Sequence, residues 1–174
     1  MPTGSHRDDS FAQRKEPIFP LRSFAEEDFQ KLFELDQLCF RPGIAYSQED
    51  LQAFIHHPSA VTIVAEDRQR QIAGFAILEL YREKHEIIAH VVTLDVHPSL
   101  RRLGLGRQLM LVLDQIAKGN RAWVLRLEVS AEDVGAQAFY RNMGFLVVRT
   151  LKRYYLNKID ALLMERSLKP ELES

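Results

Sequence analysis

"LDVHPSLRRLGLGRQLM", residues 94–110, decides how this chain is read. An apolar, strand-like run stops at His97-Pro98, and Arg101, Arg102, Gly104, Gly106 and Arg107 then crowd the junction before a helix-like stretch. Glycine at a helix start lets backbone N–H groups approach an anion without Cβ obstruction, and the helix dipole adds favourable charge there. Arginine supplies charge-assisted hydrogen bonds to a pyrophosphate. The loop therefore predicts anion binding, most simply of a nucleotide-bearing cofactor.

A dinucleotide fold competes for the same residues. The chain supplies strand, G-x-G, helix, strand and an acid, Glu128, in the right order. However, Leu109 occupies the place of the third glycine, and Pro98 and two arginines intervene before the first. The strand is also preceded by other strand-like runs instead of opening a βαβ unit. The dinucleotide reading is the weaker one.

Working outward, residues 18–24 read as a short edge strand in spite of Pro20. Residues 25–40 place Phe29, Leu32, Phe33, Leu35 and Phe40 at near-helical spacing, with acids in the first turn. "SQED" from Ser47 is a capping box that opens a second helix through Ile55, ended by Pro58. The β-branched runs 60–67, 71–83 and 86–96, parted by polar turns, predict an antiparallel meander. A helix follows from Gly104 to the stop at Gly119-Asn120, with Leu109, Leu113 and Ile116 on one face. Then come a strand at 121–130, a helix at 132–144 closing at Gly144, and two last strands at 145–151 and 160–168. The order predicts a mixed α/β sheet of about seven strands, mostly antiparallel, flanked by about four helices.

Composition bounds the function. The chain has 174 residues, 46% of them hydrophobic and 27% charged, and a formal net charge of −1. That describes one globular domain, read here as residues 17–169 between a polar tail at 1–16 and a short one at 170–174. A charge so near zero gives no basic field for direct nucleic-acid or membrane binding. The single Cys39 excludes an intrachain disulfide and fits a cytoplasmic protein. No apolar run reaches the roughly 20 residues that span a bilayer. His56, His57, His85, His90 and His97 share no metal-ligand spacing, so no metal is expected. Trp123 reads as core and Cys39 as a buried, inert thiol.

The stretch from Val96 to Arg107 resembles the acetyl-CoA pyrophosphate loop of the GNAT superfamily of N-acetyltransferases, with its R-x-x-G-x-G core at Arg101, Gly104 and Gly106. The resemblance runs over roughly residues 18–168 and implies a GNAT fold with acetyl-CoA as co-substrate. It implies that the backbone around Leu94, Asp95 and Val96 holds the thioester and pantetheine arm. It further implies that Arg102, Leu103, Gly104, Leu105, Gly106 and Arg107 wrap the pyrophosphate. "LEV" at 127–129, "AFY" at 138–140 and "MGF" at 143–145 resemble the RimI-type ribosomal-protein alanine N-acetyltransferases. In that pattern the residue at Glu128 is the general base and the one at Tyr140, twelve positions on, the general acid.

"RYY" (Arg153–Tyr155) and "DALLM" (Asp160–Met164) are similar to segments of the same branch that border the peptide N-terminus. Tyr46, Tyr154 and Tyr155 are the acceptor-side residues so implied. The departures fall there too. Asp133 stands where the family commonly has Asn near the pantetheine, and "AYS" at 45–47 replaces P-W-S. An ionised Asp133 accepts from the pantetheine amide where Asn would also donate. The expected acceptor is a protein α-amine, whose reference pKa of roughly 7.7–8.0 against about 10.4 for lysine asks little of a base. A small-molecule or lysine acetyltransferase, and a non-catalytic acyl-CoA-binding module, remain the alternatives. A monomer or weak dimer is expected.

Overall fold

The computed structural model describes residues 19–169. The readings of 1–16 and 170–174 as tails lie outside those residues. The elements run β1 (Leu21–Ser23), α1 (Phe29–Cys39), α2 (Gln48–Ile55), β2 (Ala60–Glu66), β3 (Ile72–Glu83), β4 (Glu86–Val96), α3 (Leu105–Gly119), β5 (Val124–Ser130), α4 (Val134–Asn142), β6 (Leu146–Tyr155) and β7 (Ile159–Ser167). They build one seven-stranded sheet in the order β1-β2-β3-β4-β5-β7-β6. Every neighbour pair is antiparallel except β4–β5. This is the expected mixed sheet with four α-helices.

Two apolar layers cover its faces. Leu32, Leu35, Leu51 and Ile55 of α1 and α2 close on Val64, Phe75 and Ile77. Leu105, Leu109, Met110 and Leu113 of α3 close on Ala76, Ala89, Leu125 and Phe145 on the other side. Burying each such leucine is worth about 1.5–3 kcal/mol, which explains why α3 forms despite its two N-terminal glycines. Ser47 caps α2 by accepting from the Asp50 N–H at 3.1 Å, as its box predicts. Pro20 precedes β1, which is an edge strand, so its missing N–H costs nothing.

The strand boundaries need three corrections. Residues 121–123 are a turn, closed by Ala122 N–H to Ala117 O at 2.9 Å, and β5 starts only at Val124. Trp123 is not core: it is 41% exposed, with the Lys169 ammonium 4.1 Å above its ring. β6 does not stop at Leu151 but continues through Lys152–Tyr155, its register to β7 shifted between Leu151 and Tyr155.

Two features of β4 set up the site. First, it pairs with β5 only at Ile88↔Val124, Ala89↔Leu125 and His90↔Arg126. Beyond those pairs β4 stays with β3 as far as Gly74↔Val96, and β5 stays with β7 as far as Ser130↔Ala161, so the sheet opens as a fork. Second, the register of β4 against β3 shifts between Ile77↔Thr93 and Leu78↔Val91, which leaves Val92 as an extra residue. A bulge of this kind exchanges the two faces of a strand. Ala89 and Val91 pack in the α3 layer before it, Leu94 and Val96 after it, and Thr93 and Asp95 turn toward α1.

Candidate functional site

The fork brings a histidine and a carboxylate together. Glu128 sits on β5 two residues past the last β4–β5 pair, and its Oε2 lies 2.6 Å from Nε2 of His90 on β4. Both are only partly exposed, 21% for the His90 side chain and 18% for that of Glu128. At the base of the fork, Arg126 donates to the Tyr81 hydroxyl at 2.8 Å and pairs with Glu83 and Glu165 at 2.9 and 2.6 Å. The Tyr81 ring stands edge-on to His90, with centroids 6.5 Å apart. His90 has no role at the level of sequence, because its partner Glu128 lies 38 positions away and nothing between them marks the pair.

The three acceptor-side tyrosines fall in two places, the end of β6 and the loop between α1 and α2. Tyr154 and Tyr155 end β6 with rings 4.9 Å apart at 88°. Burial raises the pKa of both hydroxyls; the Glu128 charge raises that of Tyr154 further, and Tyr154 and then Glu128 raise that of Tyr155. Tyr46, between α1 and α2, donates its hydroxyl to the carbonyl of Val92 at 3.1 Å and stacks edge-on against Phe54. Burial, then the charges of Tyr155 and Tyr154, hold its hydroxyl protonated well beyond the usual tyrosine range. Leu156, in the β6–β7 turn, packs so tightly on Gly43 that no Cβ would fit there. Asp160 fixes the turn's approach by accepting from the Arg153 N–H at 2.8 Å and Lys152 Nζ at 2.9 Å.

The second predicted catalytic residue lies on the other side of the fork. Tyr140 is on α4, half-buried in the α3 layer, its ring edge-on to Phe139 and Phe145. Among the described residues its hydroxyl has no hydrogen-bond partner. Burial raises its pKa first, and the charges of Asp95, Asp133 and Tyr155 add to that, so it stays protonated at neutral pH. Arg166 holds the end of α4 in place. It donates to the Met143 carbonyl at 2.9 Å, pairs with Asp114 of α3 at 2.5 Å and lies over the Phe145 ring.

The glycine-arginine loop is where the sequence places it. Arg102 has φ +63° and Gly104 φ +83°, a conformation that favours glycine at the α3 N-cap. A Cβ on Gly106 would stand 3.4 Å from the Phe139 ring, so a small residue lets the first turn of α3 approach α4. Arg101, Arg102 and Arg107 are exposed and form no ion pair among the described residues; Arg101 donates to the Val96 carbonyl at 3.4 Å. Leu103 is exposed at the surface and Leu105 is buried in the core, so their side chains face different ways while their backbones share the loop. Asp133 is the N-cap of α4, its Oδ1 accepting from the Ala136 N–H at 2.9 Å. Cys39 is half-buried, donates to the Val96 carbonyl at 3.4 Å, and burial pushes its thiol up to about 12, as an inert thiol requires.

The structure thus holds the glycine-arginine loop at the start of α3, and Glu128 with His90 in the fork between β4 and β5. The family model of the acetyltransferase (GNAT) family matches residues 29–145, two-thirds of the chain. The chain belongs to the GNAT family. It is 38% identical over 157 residues to the N-alpha-acetyltransferase RimI of Mycobacterium tuberculosis, covering 87% of this chain and 93% of that one. It is 29% identical over 111 residues to the N-terminal acetyltransferase B complex catalytic subunit NAA20 of Arabidopsis thaliana, 63% of this chain and 64% of the relative, so that match spans less than two-thirds of the relative's length. The structure of the ribosomal-protein-S18-alanine N-acetyltransferase from Escherichia coli superposes with a TM-score of 0.75 over 90% of this chain and 99% of its own, at 22% identity. At that identity the likeness establishes the fold. Family membership rests on the family model and on the RimI relative, and the structural neighbour adds the fold.

Proposed function

We propose that this GNAT protein transfers the acetyl group of acetyl-CoA to the α-amine at the N-terminus of a protein, in a cytoplasmic, RimI-like role. The observation that carries the reading is the carboxylate of Glu128 held by His90 inside the fork, beyond the last β4–β5 pair.

The residues present fit the donor. Past His90 the edge of β4 that faces β5 has no strand to bond, which leaves main-chain donors and acceptors of Leu94–Val96 for the amides of a pantetheine arm. The first turn of α3, opened by Gly104, and the three arginines without carboxylate partners suit its pyrophosphate. Acetyl-CoA supplies the activated thioester.

The chain then supplies three things. Glu128 receives the proton lost by the attacking amine, directly or through a water, while His90 fixes the carboxylate's orientation. Backbone N–H near Val96 stabilises the negative charge that grows on the thioester oxygen as the C–N bond forms. Tyr140, kept protonated by burial, donates to the sulfur as the C–S bond breaks. No covalent acyl-enzyme is required, because the amine attacks directly. Tyr46, Tyr154 and Tyr155 line the acceptor side. An α-amine suits one carboxylate base, since at neutral pH a good fraction of it is already neutral. The names of the RimI and NAA20 relatives support the same acceptor class. Asp133 takes part through the N-terminus of α4 that it caps.

The test is a mass-spectrometric acetylation assay on peptide pairs with free and blocked N-termini, starting with alanine-first sequences. We expect a single acetyl group on the free α-amine alone. Acetylation only of internal lysine or of a small amine would overturn the acceptor; acetyl-CoA binding without turnover on any amine would overturn the enzyme.

A further inference from the structure

Two carboxyls meet in the layer between α1 and β4. Asp36 of α1 is 0% exposed and Asp95 of β4 is 1% exposed. Two of their four oxygens are accounted for. Asp36 Oδ2 accepts from the Tyr46 backbone N–H at 2.8 Å and from Gln37 Nε2 at 3.3 Å. Asp95 Oδ1 accepts from the Thr93 hydroxyl at 2.5 Å. Asp36 Oδ1 and Asp95 Oδ2 remain, buried and without a partner among the described residues. α1 and β4 touch at this point, since Cys39, one turn on from Asp36, donates to the carbonyl of Val96, the neighbour of Asp95, at 3.4 Å, so the two orphaned oxygens share one buried layer.

An ionised carboxylate offers only acceptors. Two of them face to face in an apolar layer would repel and leave both oxygens orphaned, at a cost no neighbour here offsets. One proton removes both faults, because a neutral acid donates to the adjacent carboxylate. We propose that Asp36 and Asp95 hold one proton between them and, so joined, act as positioning residues that fix the Tyr46 loop to the donor segment of β4. The linkage is mechanical. The Tyr46 hydroxyl is tied to β4 directly at Val92, and its N–H is tied to β4 through Asp36 and then Asp95. The bulge at Val92 makes this possible by turning Asp95 toward α1.

The other titratable groups facing the pair do not supply that proton. Cys39 of α1, Tyr46 of the loop and Tyr140 of α4 are all raised by burial and stay neutral through physiological pH. Arg101, in the loop after β4, is the one cation acting on Asp95, and it is exposed. Burial therefore dominates: it lifts Asp36 to about 6 and Asp95 well above its ordinary range. For a carboxyl raised in the folded state, stability is greatest below the unfolded value and falls as pH rises through the folded one. Asp36 loses its proton first, near 6, and Asp95 keeps the remaining one through neutrality.

The positioning role rests on Tyr46 bordering the acceptor; the shared proton does not. Infrared spectra, melting curves and steady-state kinetics over a pH series would be compared for wild type, D95N and D36L. Wild type should show a protonated-carboxyl band at neutral pH that D95N lacks. Because the amide keeps a donor beside Asp36, D95N is read by the shape of its pH profile and not by its KM values at one pH, which the donor segment of β4 also sets. It should abolish the rise in acceptor KM that wild type shows when the pair loses its last proton at alkaline pH. D36L removes the acceptor for the Tyr46 N–H and should raise acceptor KM about tenfold or more, with acetyl-CoA KM and kcat within about threefold. No protonated band, or a D95N profile identical to wild type, overturns the shared proton. A folded D36L with unchanged acceptor KM overturns the positioning role, and if D36L does not fold, the D95N pH profile decides it. If no peptide is acetylated at all, the proposed acceptor fails while the infrared band still decides the proton.

Discussion

The two ends of the fork are built in different ways. The end proposed for the donor comes from one continuous stretch, from the bulge at Val92 through the first turn of α3, and it offers mainly main chain: a strand edge, a left-handed glycine and a helix start. The acceptor end is assembled from Tyr46, His90, Glu128 and Tyr154-Tyr155, four segments far apart in the chain, and it works through side chains. Main-chain recognition tolerates side-chain change unless the change alters φ and ψ. Side-chain chemistry tolerates almost none. Substitutions at the donor end should therefore appear in acetyl-CoA KM, and those in the fork in kcat or acceptor KM.

The largest effect should come from E128Q. Losing a positioned general base typically costs about 10²–10⁴ in rate, and the loss should deepen at low pH, where taking the amine proton is hardest. Acetyl-CoA binding, followed by titration calorimetry, should stay near wild type. An E128Q enzyme with wild-type kcat and an unchanged pH profile would remove Glu128 as base.

Y140F should come next, at about tenfold in kcat with acetyl-CoA affinity intact. The leaving thiolate, with a reference pKa of about 8.5, needs a proton less than an alkoxide would. Single-turnover rates at saturating acetyl-CoA would isolate the step, and a wild-type rate would transfer the acid's role elsewhere. G104A probes the donor end alone. A Cβ at φ +83° costs about 1 kcal/mol or a little more in the left-handed region, so acetyl-CoA KM should rise about five- to tenfold with kcat little changed. A fall in kcat at unchanged KM would break the division between the two ends.

The same contrast governs what could be read without coordinates. The geometry of the glycine-arginine loop was legible because its residues are neighbours in the chain, and glycine before an apolar helical stripe marks the helix start that the structure has at Gly104. The meander, α3 and the four-helix count followed from apolar periodicity of the right length. Glu128 and Tyr140 were singled out only through the resemblance, since a glutamate on a strand and a tyrosine on a helix are ordinary. His90 was missed because its importance is a pairing across 38 positions. Asp36 and Asp95 carried a faint signal. Asp36 falls on the stripe of Leu32 and Phe33, and Asp95 follows Val91 and Thr93 on one parity, yet the bulge that makes the two meet is invisible in the sequence. Trp123 failed for a local reason: a strand that begins at Val124 leaves it in the turn.

The smallest effect, and the one that separates contact from chemistry at the acceptor end, belongs to Tyr154. Its ring is half-exposed, packs edge-on against Tyr155, and its hydroxyl has no partner among the described residues. If the ring covers the incoming peptide, the stabilisation is apolar area removed from water. Y154A should then raise acceptor KM about fivefold, the equivalent of roughly 40 Å² of ring surface at 25 cal/mol per Å². Y154F keeps that surface and should match wild type, with acetyl-CoA KM unmoved in both variants. A Y154F enzyme as impaired as Y154A would mean that the hydroxyl, and with it the Glu128 charge that raises its pKa, takes part in holding or deprotonating the amine. Tyr154 would then move from a surface that recognises the acceptor to the group that activates it.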